Sequence, residues 1–366
     1  MTPPNFVNLD GPALLAENIA AYEALTGRTL QPAQAEMLLI NAFTEIQLRT
    51  LYKVQSACTQ MLVSFATAPA LDELGKLVGV SRLPASGAVV TIQFEIVSGH
   101  GGVIIPSGTR VQSNDGKVVF AVIANTEVAI GETTADVECI CQNIGTIGNG
   151  YAIGNIESII DPLSFVTAAS NTNVSSGGAN SETDEELRSR IILAPSQYSV
   201  AGPRDAYKFF AKSASPAIID VAVAQLSPGT VGVYPLVAGG DTPPEILTLV
   251  ETALNDDSVR PLTDTVEVAA PTVVDYDIEI DVTTYENSDV GTAQTAIETA
   301  LTAYAEAKAT AMGQDIVLSQ IIARAANVAG VYNVEVVSPA SDLVIDFNEV
   351  PIIGTVTVNM IGENQG

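Results

Sequence analysis

Ser176-Gly177-Gly178-Ala179-Asn180-Ser181-Glu182-Thr183-Asp184-Glu185-Glu186-Leu187-Arg188-Ser189-Arg190-Ile191 lies near the middle of the 366-residue chain. It reads as a flexible junction followed by a strongly signalled helix start. Gly177 and Gly178 accept turn conformations closed to other residues. Ser181 with Asp184, and Thr183 with Glu186, fit the capping-box spacing. Glu182, Asp184, Glu185 and Glu186 fall where the helix dipole favours negative charge. A new unit is expected to begin here, with Gly177 and Gly178 as a candidate hinge. The acidic cluster is read as a helix cap, with no metal or catalytic role.

Working outward, the chain is long enough for about two or three domains. Apolar residues make up 47% of it, so each can bury a core; with no Trp and few aromatics, Ala, Val, Ile and Leu must build those cores. The formal net charge of −27 argues against nucleic acid, whose phosphates need Lys and Arg, and against anionic membranes. It suits basic protein partners. Met1-Thr2-Pro3-Pro4-Asn5 lacks the pattern of a signal peptide, and no apolar run is long enough to span a bilayer. Three cysteines suggest no disulfide framework. The expectation is a soluble protein made in a reducing cytoplasm.

Before the junction, residues 10–82 read as helical. A first helix over Pro12–Leu25 stops near Gly27. Pro32 suits a second helix start, and no Gly or Pro follows until Pro69. If continuous, that helix is about 50 Å long. Met37, Ile40, Leu51, Val54, Cys58, Met61 and Phe65 form one stripe on it, with Leu39, Phe43 and Ile46 beside them. Two stripes are wider than one partner face requires. Leu51, Val54, Met61 and Phe65 are therefore the candidate interface residues. A short third helix follows in 70–82.

Between about Ala85 and Ala168 the period changes to two: Val90, Ile92, Phe94 and Ile96 alternate with polar residues. An all-β domain is expected there. After the junction, helices over 183–193, 203–213 and Pro244–Leu254 alternate with strands over Ala217–Gln225 and Val231–Val237. The last part has strands near Thr272–Tyr285, 331–337 and 355–360 around helices near 292–310 and 315–328. This is multidomain α+β without a βαβ rhythm, with ferredoxin-like units as one possibility. The expected division is 1–83 helical, 84–175 β-rich, 176–268 α+β and 269–366 α+β.

The order of six short motifs resembles the baseplate J-like family, whose members build wedges in the baseplates of contractile phage tails and related injection machines. They are Leu71-Asp72-x-Leu74-Gly75-x-x-x-Gly79-x-x-Arg82; Ile105-Pro106-Ser107-Gly108-Thr109-Arg110-Val111; Gly145-Thr146-Ile147-Gly148-Asn149-Gly150; the junction run itself; Ser199 to Tyr207; and Val259-Arg260-Pro261-Leu262-Thr263-Asp264. The resemblance implies a non-enzymatic structural subunit located in the baseplate of a particle assembled in a bacterial cytoplasm. It implies other wedge subunits and further copies of the chain in a sixfold assembly as partners, with sheath and spike or hub proteins beyond them. It also implies that N-terminal helices of neighbouring subunits join in a bundle.

No residue pattern demands a cofactor, a metal or catalysis. Cys139 and Cys141 share one strand face and read as packed core thiols, since a zinc site usually needs four ligands. His100, the single histidine, sits between glycines and reads as an exposed loop residue. Gly145, Gly148, Gly150 and Gly154 fit no phosphate-loop spacing and read as turns. Asp275, Asp277, Glu279 and Asp281 mimic a calcium loop, but Ile280 stands where Gly is needed; a strand with a solvated acidic face is expected. The competing class is a secreted or surface carbohydrate-binding or hydrolytic protein. Missing Trp and a missing leader pattern count against it.

Overall fold

A computed structural model of the chain describes residues 2–198, 204–256, 259, 264–286 and 288–364. Within them the protein is multidomain α+β and divides into two compact units. The first comprises Met1–Arg82 with Thr183–Ile192; the second comprises Leu83–Glu182 with Leu193–Gly366.

The first unit is helical: α1 (Gly11–Thr26), α2 (Ala35–Thr59), α3 (Ala70–Leu77) and, from the quoted stretch, α4 (Asp184–Leu193). Asp10 caps α1 by accepting from the Ala13 N–H, and Gly27 ends it in the left-handed conformation at φ 67°. Helix α2 is shorter than the expected run to Pro69: its 25 residues reach about 37 Å. In the turns after Thr59 the carbonyls of Val63 and Ala66 have a partner the local sequence does not show. The Arg188 guanidinium donates to both, at 2.7 and 2.6 Å. Helix α4 opens on a reciprocal cap: the Thr183 N–H donates to Glu186 Oε2 at 2.7 Å and the Glu186 N–H to Thr183 Oγ1 at 3.3 Å. Of the two expected capping boxes this one forms; Ser181 Oγ instead donates to the Leu83 carbonyl and Asp184 binds Arg82 and the Ala68 N–H, and the helix packs with residues 1–82.

The second unit begins with strands β1 (Val89–Ile96), β2 (Val103–Ile105), β3 (Arg110–Ser113), β4 (Val119–Val122), β5 (Thr126–Val128), β6 (Thr134–Cys141), β7 (Ile156–Ile159) and β8 (Val166–Asn171). Six of them form one sheet in the order β7-β3-β4-β6-β1-β8, and β2 pairs with β5. Alternate residues of β1 face a core of Val90, Ile92, Phe94, Phe120 and Cys139, as the period of two requires. The sheet all but closes, and the buried Asn171 side chain closes the seam between its two end strands. Its Oδ1 accepts from the N–H groups of Asn155 and Ile156, both at 3.0 Å, and its Nδ2 donates to the carbonyls of Ala152 and Asn173. His100 corrects the expectation of an exposed loop: it is only 3% exposed. Gly99 and Gly102, at φ 90° and 103°, fold the ring inward. Nδ1 accepts from the Gly102 N–H, so Nε2 donates to the Glu132 carbonyl.

Next come α5 (Arg204–Ala214), β9 (Ile218–Ser227), β10 (Thr230–Val237), α6 (Pro244–Leu254) and β11 (Thr265–Val268), with sheet order β11-β10-β9. Then follow β12 (Thr272–Tyr285), α7 (Val290–Lys308), α8 (Leu318–Ala326), β13 (Val331–Ser338) and β14 (Glu349–Asn364), with order β13-β12-β14. Each small sheet has three strands among the described residues, one fewer than a ferredoxin-like unit. The two are joined by a buried cluster of Leu236, Met312 and Val350 and by an edge-to-face contact of Tyr234 with Phe347. Asp220 accepts the Met312 N–H across the same joint at 3.1 Å.

Candidate subunit interface

The hairpin of α1 and α2 shelters part of its apolar surface and leaves the rest exposed. Its inner side combines half-buried Leu14, Ile19, Ile40, Leu48 and Leu51 with polar bonds: Asn18 Nδ2 donates to Thr44 Oγ1 at 2.9 Å and to Gln47 Oε1 at 3.0 Å. Gln55 accepts from the Phe6 N–H and donates to the Pro4 carbonyl. No residue of α1 is buried, and in α2 only Thr44 is. The outer side carries further large apolar groups: Leu39 is 72% exposed, Phe43 59% and Ile46 64%. A 25-residue helix with one buried side chain has little packing to hold it.

The four interface residues expected from sequence are not brought together. Val54 lies eleven residues after Phe43, about three turns, and so shares the exposed face at 41%. Leu51 is half-buried. Met61 is exposed but sits beyond the end of α2, and Phe65 is half-buried in the turns that follow. Leu38, Leu39, Phe43 and Ile46 are the more exposed group. Their signal was the 39-43-46 spacing, which periodicity alone could not assign to the outside.

Helix α4 is fastened to the rest of its unit by charge. Arg82 donates from Nε to Asp72 Oδ1 at 2.8 Å and from Nη2 to Asp184 Oδ1 at 2.7 Å. Asp184 Oδ2 also accepts the Ala68 N–H. These bonds, the one to Arg82 foremost, hold the Asp184 carboxyl below the usual range. Arg188 ties down the turn after α2, and Arg190 Nη1 reaches the Ser81 carbonyl. Gly75 allows the approach: a Cβ there would lie 2.8 Å from the Val80 carbonyl and 3.3 Å from the Ile191 side chain.

The junction glycines differ from one another. Gly177 takes φ 79° in open space. Gly178 is enclosed: the Asn149 side chain accepts its N–H at 2.9 Å and donates to its carbonyl at 2.8 Å. A Cβ at Gly178 would meet the Gly145 carbonyl at 2.6 Å. Any swing about this junction has to release Asn149.

Other sequence motifs also meet across the chain. Arg110 holds Asp161 in a two-bond fork, both at 2.9 Å. Tyr207 donates to Asp264 at 2.7 Å beside a cavity of about 260 Å³ lined also by Arg204, Gln225 and Thr230. The remaining positions of those two motifs, 199–203 and 260–263, lie outside the described residues. Cys139 and Cys141 are buried in the barrel core, and burial pushes the Cys139 thiol up to about 12. Asp277 spends its Oδ1 on the N–H and hydroxyl of Thr355, both at 2.7 Å, at a bulge between β12 and β14. Tyr276, Ile278, Ile280 and Val282 are buried on the other face, as the strand reading requires.

A helical hairpin with an apolar outer face, a nearly closed β-barrel and two joined α+β sheets define a multidomain protein built around contacts between distant segments. The chain belongs to the baseplate J-like family: residues 91–178 match the Baseplate J-like protein barrel domain, 199–270 the Baseplate J-like central domain and 276–359 the Baseplate J-like protein C-terminal domain. It is 33% identical to Baseplate protein J of Escherichia phage P2 over 183 residues, which is 50% of this chain and 60% of that protein. A chain in the cryo-EM structure of the anti-feeding prophage (AFP) baseplate, 6-fold symmetrised, aligns over 93% of this chain and 90% of its own, with 14% identity and a TM-score of 0.43. Among the described residues no helix is long and apolar enough to cross a membrane.

Proposed function

We propose that the chain is a non-enzymatic structural subunit of the baseplate wedge of a contractile tail or injection machine. It holds the baseplate ring together with other wedge subunits and further copies of itself, and relays the ring's rearrangement to the sheath. The observation that carries this reading is the exposed apolar group of the hairpin, Leu39, Phe43, Ile46 and Val54. An apolar face of that kind is what an intersubunit helix bundle covers. The first 82 residues carry seven acidic and five basic groups, so this part of a very acidic chain is close to neutral. It can approach an acidic neighbour with little repulsion. Family membership supports the particle context. The four-part division at 83, 175 and 268 is our working organisation, with 183–192 assigned to the helical part.

The test is Phe43→Asp with Val54→Asp in the full chain. Both side chains are exposed, so the variant keeps its helix content. It is expected to fail to enter particles or to bind its wedge partner. Normal incorporation of a folded variant would sink the interface reading. Leu51→Asp is a poorer probe, because Leu51 is half-buried within its own chain. Screening the purified protein on glycan, peptide and ester substrates tests the non-enzymatic reading; turnover abolished by one Asp or Glu substitution would refute it.

A further inference from the structure

Among the described residues strand β14 is an edge; its register against β12 shifts at Ile353/Val356 and at Met360/Gly362, but it carries no guarding charge along its middle. It pairs with β12 on one side and ends the order β13-β12-β14. At 16 residues it is long. Natural edge strands are normally kept short, bulged, or guarded by charge, Lys above all. Between Glu349 and Glu363 this strand has no charged residue in thirteen positions, within a chain of formal net charge −27. Its one proline, Pro351, stands near the start and leaves the N–H groups of Thr355–Gly362 in place, while Gln294 Nε2 of α7 donates to the Val358 carbonyl at 3.4 Å. Thr355, Thr357 and Ile361 are exposed, and Val356 and Met360 are half-buried at the open margin of the core.

The sheet beside this edge is acidic on its solvated face. Glu279 and Asp281 alternate with the buried Ile278, Ile280 and Val282, and Asp281 stands opposite Glu335 on β13. Asn359 of β14 donates to both Glu279 and Asp281 at 3.0 Å, which places it on the same face. Residues 269–366 hold fourteen Asp and Glu against two cations, Lys308 and Arg324. Both cations lie over the Tyr304 ring, in the helical layer. A strand added beside β14 would lie about 4.8 Å beyond Thr357 and Asn359. From there Lys or Arg side chains can reach the Glu279 and Asp281 carboxylates. Its alternate residues, on the other face, would cover Val356 and Met360.

We propose that the outer edge of β14 is a strand-addition site for an extended segment of another subunit, one in which Lys or Arg alternates with apolar residues. Main-chain bonds supply the affinity and the alternating side chains the selectivity. A second copy of β14 is disfavoured as the occupant, because it would bring two acidic faces together. This site is independent of the helical hairpin, so either can fail without the other.

The probe is a ten-residue peptide of alternating lysine and valine, added to the full chain at low salt, with a glutamate–valine peptide as control. Hydrogen exchange of the amides of 355–362 is expected to slow about tenfold with the lysine peptide and to stay unchanged with the control. Thr357→Lys with Ile361→Lys adds the missing guard and is expected to weaken binding about tenfold. The charge-matched Thr295→Lys with Thr299→Lys, on the exposed side of α7, is expected to leave it within about twofold. Binding without protection of 355–362 is attraction to an acidic surface and overturns the proposal. Equal weakening in both lysine pairs, or equal protection by the glutamate peptide, overturns it too. Should the edge variant not fold, the exchange map of the unaltered chain decides.

Discussion

Arg82 Nη2 lies 2.7 Å from Asp184 Oδ1, a bond between residues 102 positions apart in the chain. The same guanidinium holds Asp72 through Nε at 2.8 Å, so one side chain joins α3 to α4. Arg82→Ala is expected to lower the stability of the helical unit by about 1–2 kcal/mol. Arg82→Lys should recover little, because a single ammonium cannot serve both carboxylates with the same fork. Denaturant unfolding of Arg82→Ala, Asp184→Asn and the double variant measures the coupling; additive losses would show that the pair does not act together.

Several carboxylates respond to acid in a predictable direction. Asp161 is held below the usual range first by the Arg110 guanidinium, and Asp277 first by the Thr355 hydroxyl. A depressed folded value means that the unfolded chain binds more protons, so the stabilisation is full above the unfolded pKa and fades as pH falls through the folded one. The stability gap between the parent and Asp161→Asn should be constant above about pH 5 and close below about pH 4. Comparing the two at each pH removes the general relief of repulsion that acid brings to so acidic a chain. A gap that widens on acidification would contradict the assignment.

Asn171 makes four hydrogen bonds at the barrel seam while almost wholly buried. Removing it takes a partner from the Ile156 N–H and the Asn173 carbonyl, while the Asn155 N–H and the Ala152 carbonyl keep their bond to each other at 3.1 Å. Asn171→Ala is expected to cost about 1–3 kcal/mol, and Asn171→Asp a comparable amount, because a carboxylate cannot donate to Ala152 and Asn173. Thermal unfolding of the two variants, with exchange at 155–156, checks this.

The candidate hinge separates into two positions with different expectations. Gly178→Ala is expected to destabilise by about 1–3 kcal/mol, since its Cβ would meet backbone. Gly177→Ala meets no atom and is strained only by its positive φ, at about 1 kcal/mol. If the junction flexes, Asn149→Ala should speed amide exchange at 177–180 well above that of β1. Exchange as slow as in the strand core would remove the hinge from consideration.

Asp277 is already committed to Thr355, and Ile280 occupies the position where a calcium loop turns on Gly. Calorimetry with calcium should show no site in β12. A micromolar isotherm lost in Asp277→Asn would refute this.

Local patterns made much of the molecule legible. The alternation of Val90 to Ile96 and of Tyr276 to Val282 gave strands with known inner faces, because a period of two leaves no choice of face. The pairing of Thr183 with Glu186 gave a helix start, because both partners lie within one turn. The order of motifs gave the family. Contacts between distant residues were not legible. The turns after α2 are held by Arg188, more than 120 positions away, which donates to the carbonyls of Val63 and Ala66. His100 turned inward because the Glu132 carbonyl was there to meet it. The sequence by itself determined which residues could form helices, strands and caps, since those depend on neighbours along the chain. Which apolar stripe of α2 faces outward, where α4 docks and how the barrel seam closes were decided only by tertiary structure, since each depends on a partner that spacing cannot name.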